Sequence, residues 1–122
     1  MNHSNKKRNI EKGRRYEKLA SEYLLGKGYT VIEKNWRAGH KEIDLIVRKE
    51  NTIVFVEVKG SLTGEFGHPS EKVDKTKIKN LTDAAEQYII ANNLKDCDFR
   101  FDLITFLDGR LEYYPDAFRG EE

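Results

Sequence analysis

The run EIDLIVRKENTIVFVEVK, residues 42–59, decides the fold. Its two ends, Glu42 to Arg48 and Ile53 to Lys59, are rich in β-branched and apolar residues. Lys49, Glu50, Asn51 and Thr52 between them make a connection of hairpin length. Side chains alternate along a strand, so Glu42 and Asp44 are expected on one face and Ile43, Leu45 and Val47 on the other. In the second strand Phe55, Glu57 and Lys59 are expected to share a face, with Val54, Val56 and Val58 turned to a core. Closing the hairpin about Glu50 and Asn51 pairs Arg48 with Ile53. That register sets Asp44 opposite Glu57 and Glu42 opposite Lys59.

Directly opposed carboxylates stand roughly 5 Å apart, where two ionised groups repel by about 3 kcal/mol at an effective dielectric of 20. A divalent cation between them turns repulsion into attraction, and hard oxygen donors suit Mg²⁺ or Mn²⁺. A proton held by the pair is the alternative. Taken alone, Glu57-Val-Lys59 reads as an exposed ion pair of little energetic weight. The joint pattern of Glu-Ile-Asp, hairpin and Glu-Val-Lys with all acids on one face points instead to a metal site. Lys59 is then placed to orient a water and to offset charge on a phosphoryl group. The sequence has neither a serine or cysteine triad nor a glycine-rich phosphate loop with a following lysine, which leaves hydrolysis by a metal-activated water.

Outward from this hairpin, apolar residues recur at Tyr16, Leu19, Ala20, Tyr23 and Leu24, the spacing of an amphipathic helix that stops at Gly26 and Gly28. Tyr29 to Trp36 reads as a strand, and Ala38 to Lys41 as a loop. Gly60 to Ser70 has three glycines and a proline and reads as a long loop. Ile78, Leu81, Ala85, Tyr88 and Ile89 mark a second helix over roughly Val73 to Asn92. Phe99 to Leu107 and Leu111 to Tyr114 are strands joined at Asp108-Gly109. The expected order is helix, three strands, helix, two strands. Glu17 sits at the border of the first helix's apolar stripe and Lys77 at that of the second. On their residue types alone both read as solvated surface groups, and His3, His40 and His68 as loop residues.

With 122 residues, 38% of them hydrophobic, the chain is sized for one domain. No apolar run is long enough to span a membrane, and the basic start lacks a secretory h-region. Cys97 is the single cysteine, so no internal disulfide and no zinc site is expected, in keeping with a cytoplasmic protein. Net charge is +1, yet residues 1–15 carry six basic side chains against Glu11 alone. Residues 1–9 lack apolar periodicity and are expected as a flexible basic arm, residues 10–119 as one domain and residues 120–122 as a tail. A charge run of this kind reads first as a solvated tail that keeps the protein soluble; on the other reading, Lys7, Arg8, Arg14 and Arg15 are the candidate DNA contacts.

The chain resembles the YraN-like family of small bacterial endonuclease-like proteins, related in fold to archaeal Holliday junction resolvases. The carrying residues are Gly13, Glu17 and Ala20, Gly28-Tyr29, Asn35-Trp36-Arg37, Glu42 to Ile46, Val54 to Lys59, Gly67 with Pro69, Lys77, Ala85 with Tyr88, Arg100 to Asp102, and Ala117-Phe118. The resemblance implies an α/β fold with a restriction-endonuclease-like, PD-(D/E)xK core, a mixed central sheet flanked by helices. It implies that Asp44 and Glu57 hold the metal, that Lys59 assists hydrolysis, that Glu17 completes the acidic cluster, and that Glu42 and Lys77 support it. The chain departs from many members in having Lys41 before Glu-Ile-Asp and Gly60-Ser61 after Lys59. The expected function is a Mg²⁺- or Mn²⁺-dependent endonuclease acting on branched or structured DNA, with a homodimer as one expected assembly. The alternatives are a non-cleaving DNA-binding accessory module on the same fold, and a small structural protein with a surface ion-pair patch.

Overall fold

The computed structural model of the chain describes residues 3–61 and 75–119, and side chains within residues 13–60 and 75–119. Among these are α1 (His3–Gly26), β1 (Thr30–Ala38), β2 (Lys41–Lys49), β3 (Thr52–Ser61), α2 (Lys75–Ala91), β4 (Asp98–Leu107) and β5 (Arg110–Tyr114). The element order is the one expected. The five strands form one mixed sheet in the order β1-β2-β3-β4-β5, in which only β3 and β4 run parallel. The crossover that a parallel pair requires carries α2.

Each helix covers one face. Ala20 and Leu24 of α1 pack on Leu45, Val47, Val54, Val56, Ile104 and Phe106. Leu81, Ala84, Ala85 and Tyr88 of α2 pack on Ile43, Ile46, Ile53 and Phe55. The central strands are buried on both sides, which is why residues 53–58 read as an almost unbroken apolar run rather than an alternating one. Both helices end in the same way. The amide of Tyr29 bonds Leu24 O and that of Gly28 bonds Leu25 O, with Gly28 at φ 95°. At α2 the amide of Leu94 bonds Ile89 O and that of Asn93 bonds Ile90 O, with Asn93 at φ 50°. A left-handed glycine or asparagine closes the last turn in each case.

Four expectations are corrected. Residues from His3 on belong to α1, so most of the stretch read as an arm has helical backbone; Lys and Arg propagate a helix well once packed residues have nucleated it. The side chains of Lys7 and Arg8 lie outside the described ones. Second, Gly60 and Ser61 extend β3 beside Phe106 and Leu107 instead of opening the loop, because β4 supplies them a parallel partner. The rest of that loop, with His68, and the start of the second helix at Val73 lie outside the described residues. Third, the loop read over Ala38 to Lys41 shrinks to Gly39 and His40 between paired strand ends, with Gly39 at φ 65°.

The fourth correction concerns the hairpin. The ladder between β2 and β3 has the expected register from Lys49↔Thr52 to Leu45↔Val56, and it stops there. Asp44 and Glu57 are not ladder partners, nor are Glu42 and Lys59. The face alternation breaks at the same place, since Leu45 and Val47 lie on the α1 side while Ile43 lies on the α2 side. In β1 the residue left between the pairs Lys34↔Leu45 and Trp36↔Ile43 is Asn35, at φ 52°. A left-handed residue in an edge strand changes the local twist. Ile43 turns with it to meet Trp36 on the α2 side.

Candidate metal centre

Asp44 stands where β2 parts from β3, and its Oδ2 accepts the Val58 amide at 2.8 Å, satisfying a donor that the broken ladder leaves. Glu17 from α1, Glu42 and Asp44 each offer a carboxylate oxygen, all within 4.8 Å of one another. Asn35 Nδ2 donates to Glu17 Oε2 at 3.0 Å, so the left-handed strand residue also holds the helix glutamate. Arg37 lies 3.3 Å from the other side of this group, at Glu42 Oε2.

Glu57 is 3% exposed. Its Oε1 lies 3.4 Å from Lys77 Nζ and 4.0 Å from Lys59 Nζ. Its Oε2 is buried and finds no hydrogen-bond partner among the described residues. A buried carboxylate oxygen left unmatched is costly, and it marks a place where a further cation or donor belongs.

The electrostatics bind the four acids into one site, with the Glu57 and Asp44 side chains in hydrogen-bond contact. Burial first, and then the charge of Glu57, push the Asp44 carboxyl up to about 7, against the Val58 amide that favours its ionised form. Burial likewise raises Glu57, opposed by Lys77 and then Lys59. Glu17 is raised by burial, relieved by its bond from Asn35, and raised again by Asp44 and Glu42. Carboxyl groups that resist ionisation together and have oxygens converging either share a proton or take a hard divalent cation between them. An unmatched Oε2 on Glu57 and three oxygens within reach around Asp44 fit such an ion.

The structure thus brings Glu17, Glu42, Asp44, Glu57, Lys59 and Lys77 into one neighbourhood, although Glu42 enters the carboxylate group itself while Glu57 is the acid that takes both lysines. Arg14 and Arg15 are exposed on α1, three and two residues before Glu17. Asn35 is the site residue to which the sequence reading gave no role, quoting it only among the residues that carry the resemblance; an asparagine inside an expected strand, a residue type that tolerates positive φ, was the available signal. Gly60 is a second. A Cβ there would sit 2.2 Å from the Tyr16 ring, and that ring precedes Glu17 and stacks on Phe106 at 4.7 Å. Gly60 lets α1 approach β3 closely enough to deliver the glutamate.

Comparison with known proteins finds a match to the family model described as Uncharacterised protein family UPF0102 over residues 16–106. A UPF0102 protein of a Sulfurihydrogenibium species is 42% identical over 108 residues, covering 88% of this chain and 94% of its own. One of Clostridioides difficile is 44% identical over 112 residues, covering 90% and 98%. One of Thermodesulfovibrio yellowstonii is 43% identical over 109 residues, covering 89% and 96%.

Proposed function

The chain belongs to the UPF0102 family, the YraN family of the sequence resemblance, and we propose that it is a divalent-metal-dependent nuclease with a PD-(D/E)xK core. The observation that carries this reading is the convergence of Glu17, Glu42 and Asp44 within 4.8 Å beside a buried Glu57 with an unpartnered oxygen. Asp44 and Glu57 would hold the ion, Mg²⁺ or Mn²⁺, with Glu17 completing the set and Glu42 supporting it. When bound, the ion supplies Lewis-acid polarisation of a phosphoryl oxygen and a water of lowered pKa.

The chain's own residues do the rest. Lys59 is partly exposed, and its ammonium lies 4.0 Å from Glu57 Oε1. There it orients the attacking water and offsets charge that develops on the phosphoryl oxygens. Arg14 and Arg15 project from the helix that carries Glu17 and attract the phosphate backbone. DNA, branched or otherwise structured, is the substrate class this reading favours.

The test is cleavage of a panel of branched, single-stranded and duplex DNAs with Mg²⁺, Mn²⁺ or chelator. Lys59→Ala is expected to slow metal-dependent cleavage roughly a hundredfold while leaving metal and DNA binding in place. Lys95→Ala removes the same charge at an exposed position remote in sequence and is expected to cut normally. Equal rates for the two variants would reduce Lys59 to an ion-pair partner. DNA binding without cleavage in any metal would favour the non-cleaving accessory module.

A further inference from the structure

Glu57 has two lysine neighbours, and they do not stand in equivalent relations to it. Lys59 lies two residues on along the same strand, at 4.0 Å from Oε1. Lys77 reaches the same oxygen from the first turn of α2, at 3.4 Å, with 36% of its side chain exposed. Both ammonium groups crowd one oxygen, and Oε2 is left buried without a partner. A carboxylate 3% exposed must be matched by positive charge when no metal is bound, and the nearer lysine supplies most of that match.

We propose that Lys77 is the resident counter-cation of the metal centre: its ammonium neutralises Glu57 in the metal-free protein and swings toward solvent when a divalent ion takes that charge position. This rests on the reading of the site as a metal centre. A dication and an ammonium at one carboxylate repel each other, and Lys77, partly exposed on its helix, has a path to water. Lys77 is in this account a positioning residue that holds Glu57 aimed, and α2 thereby sets the metal affinity of a site built on β2, β3 and α1.

A lysine that merely held the fold together would lose stability on replacement and weaken metal binding with it. A displaced counter-cation has the opposite signature: the metal-free protein is destabilised, and metal binds more tightly. The experiment is Mn²⁺ calorimetry with melting curves in the presence and absence of Mn²⁺, at pH 8 so that protons do not take the lysine's place. Lys77→Gln is expected to bind Mn²⁺ about tenfold more tightly than wild type, with a lower melting temperature without metal and a larger metal-induced rise. Lys77→Arg keeps the charge and is expected to stay near wild-type affinity. Lys79→Gln, which removes a charge paired with Asp83 instead, is expected to change it less than about twofold.

A second reading of the wild type does not depend on any variant folding: on adding Mg²⁺, the side-chain resonances of Lys77 should move toward those of a solvated lysine. Unchanged or weaker affinity in Lys77→Gln, equal tightening in Lys79→Gln, or Lys77 resonances unmoved at saturating Mg²⁺ would each overturn the proposal. Wild-type protein that binds Mn²⁺ with an affinity indifferent to position 77 sinks this inference alone. Wild-type protein that binds no Mn²⁺ sinks the metal centre beneath it as well.

Discussion

Asp44 is pulled two ways, since its bond from the Val58 amide favours the carboxylate while burial and Glu57 favour the acid, and the acid side wins up to about 7. Its ordinary value is 3.8, so the folded state holds this proton more tightly than the unfolded chain does. That linkage stabilises the metal-free protein fully below about pH 4 and is lost as pH rises through about 7. Asp44→Asn removes the titration and can still accept the Val58 amide. It is expected to be more stable than wild type at pH 8 without metal, by up to a few kcal/mol, and to lose that advantage toward pH 4, as measured by urea unfolding across pH. At this scale the sequence was informative about residue types: Asp44, Glu57, Lys59 and Glu17 all fall in one neighbourhood. It was silent about who touches whom. The expected opposition of Asp44 and Glu57 assumed a ladder that continues past Leu45. It ends at Leu45, beside a left-handed residue, Asn35, on the neighbouring strand, a feature that no pattern within residues 42–59 encodes.

Elements were more legible than contacts, because both helices and all five strands announce themselves by apolar spacing that tertiary packing then uses. Helix ends were harder. The basic start of α1 lacks a stripe, and its helicity is extended from the packed turns that follow. Gly60 was read as a breaker on propensity alone, yet it sits in β3 because only a residue without Cβ fits beneath Tyr16. Gly60→Ala is therefore expected to destabilise the protein by about 1–3 kcal/mol, the usual cost of overpacking a tight contact, and to displace α1 enough to weaken metal binding through Glu17. Adding Tyr16→Leu removes the ring that collides and should recover part of the loss. Melting curves of the single and double variants check this, and additive losses would mean that Gly60 and Tyr16 are not coupled.

Across the whole molecule the sheet keeps the chemistry at one end of the β2–β3 hairpin and a second polar group elsewhere. Asp102 is fully buried on β4; Arg100 grips both its oxygens at 2.8 and 2.9 Å, the Tyr113 hydroxyl donates to it, and the Asp116 amide reaches it at 2.8 Å. Arg100 also bonds the Tyr29 hydroxyl at 2.6 Å, so this group ties β4, β5 and the end of α1 together. Asp102→Ala is expected to cost about 3–5 kcal/mol by stranding the arginine, while any metal-induced rise in melting temperature persists. Among the described residues no helix is long and apolar enough to cross a membrane. On the outer surface of α1, Arg14→Gln with Arg15→Gln is expected to lower the slope of log DNA affinity against log salt by roughly 2, from fluorescence anisotropy over a salt series. An unchanged slope would take these arginines out of the DNA interface.

The central claim is that the converging carboxylates hold a divalent ion, and titration of Mn²⁺ into wild type and Glu57→Gln by calorimetry tests it most directly. The expected result is saturable binding near one ion per chain in wild type, lost or weakened at least tenfold in Glu57→Gln, because the substitution removes the charge beside Asp44. Wild-type protein that takes up no Mn²⁺, or a Glu57→Gln variant that binds it equally well, would contradict the account.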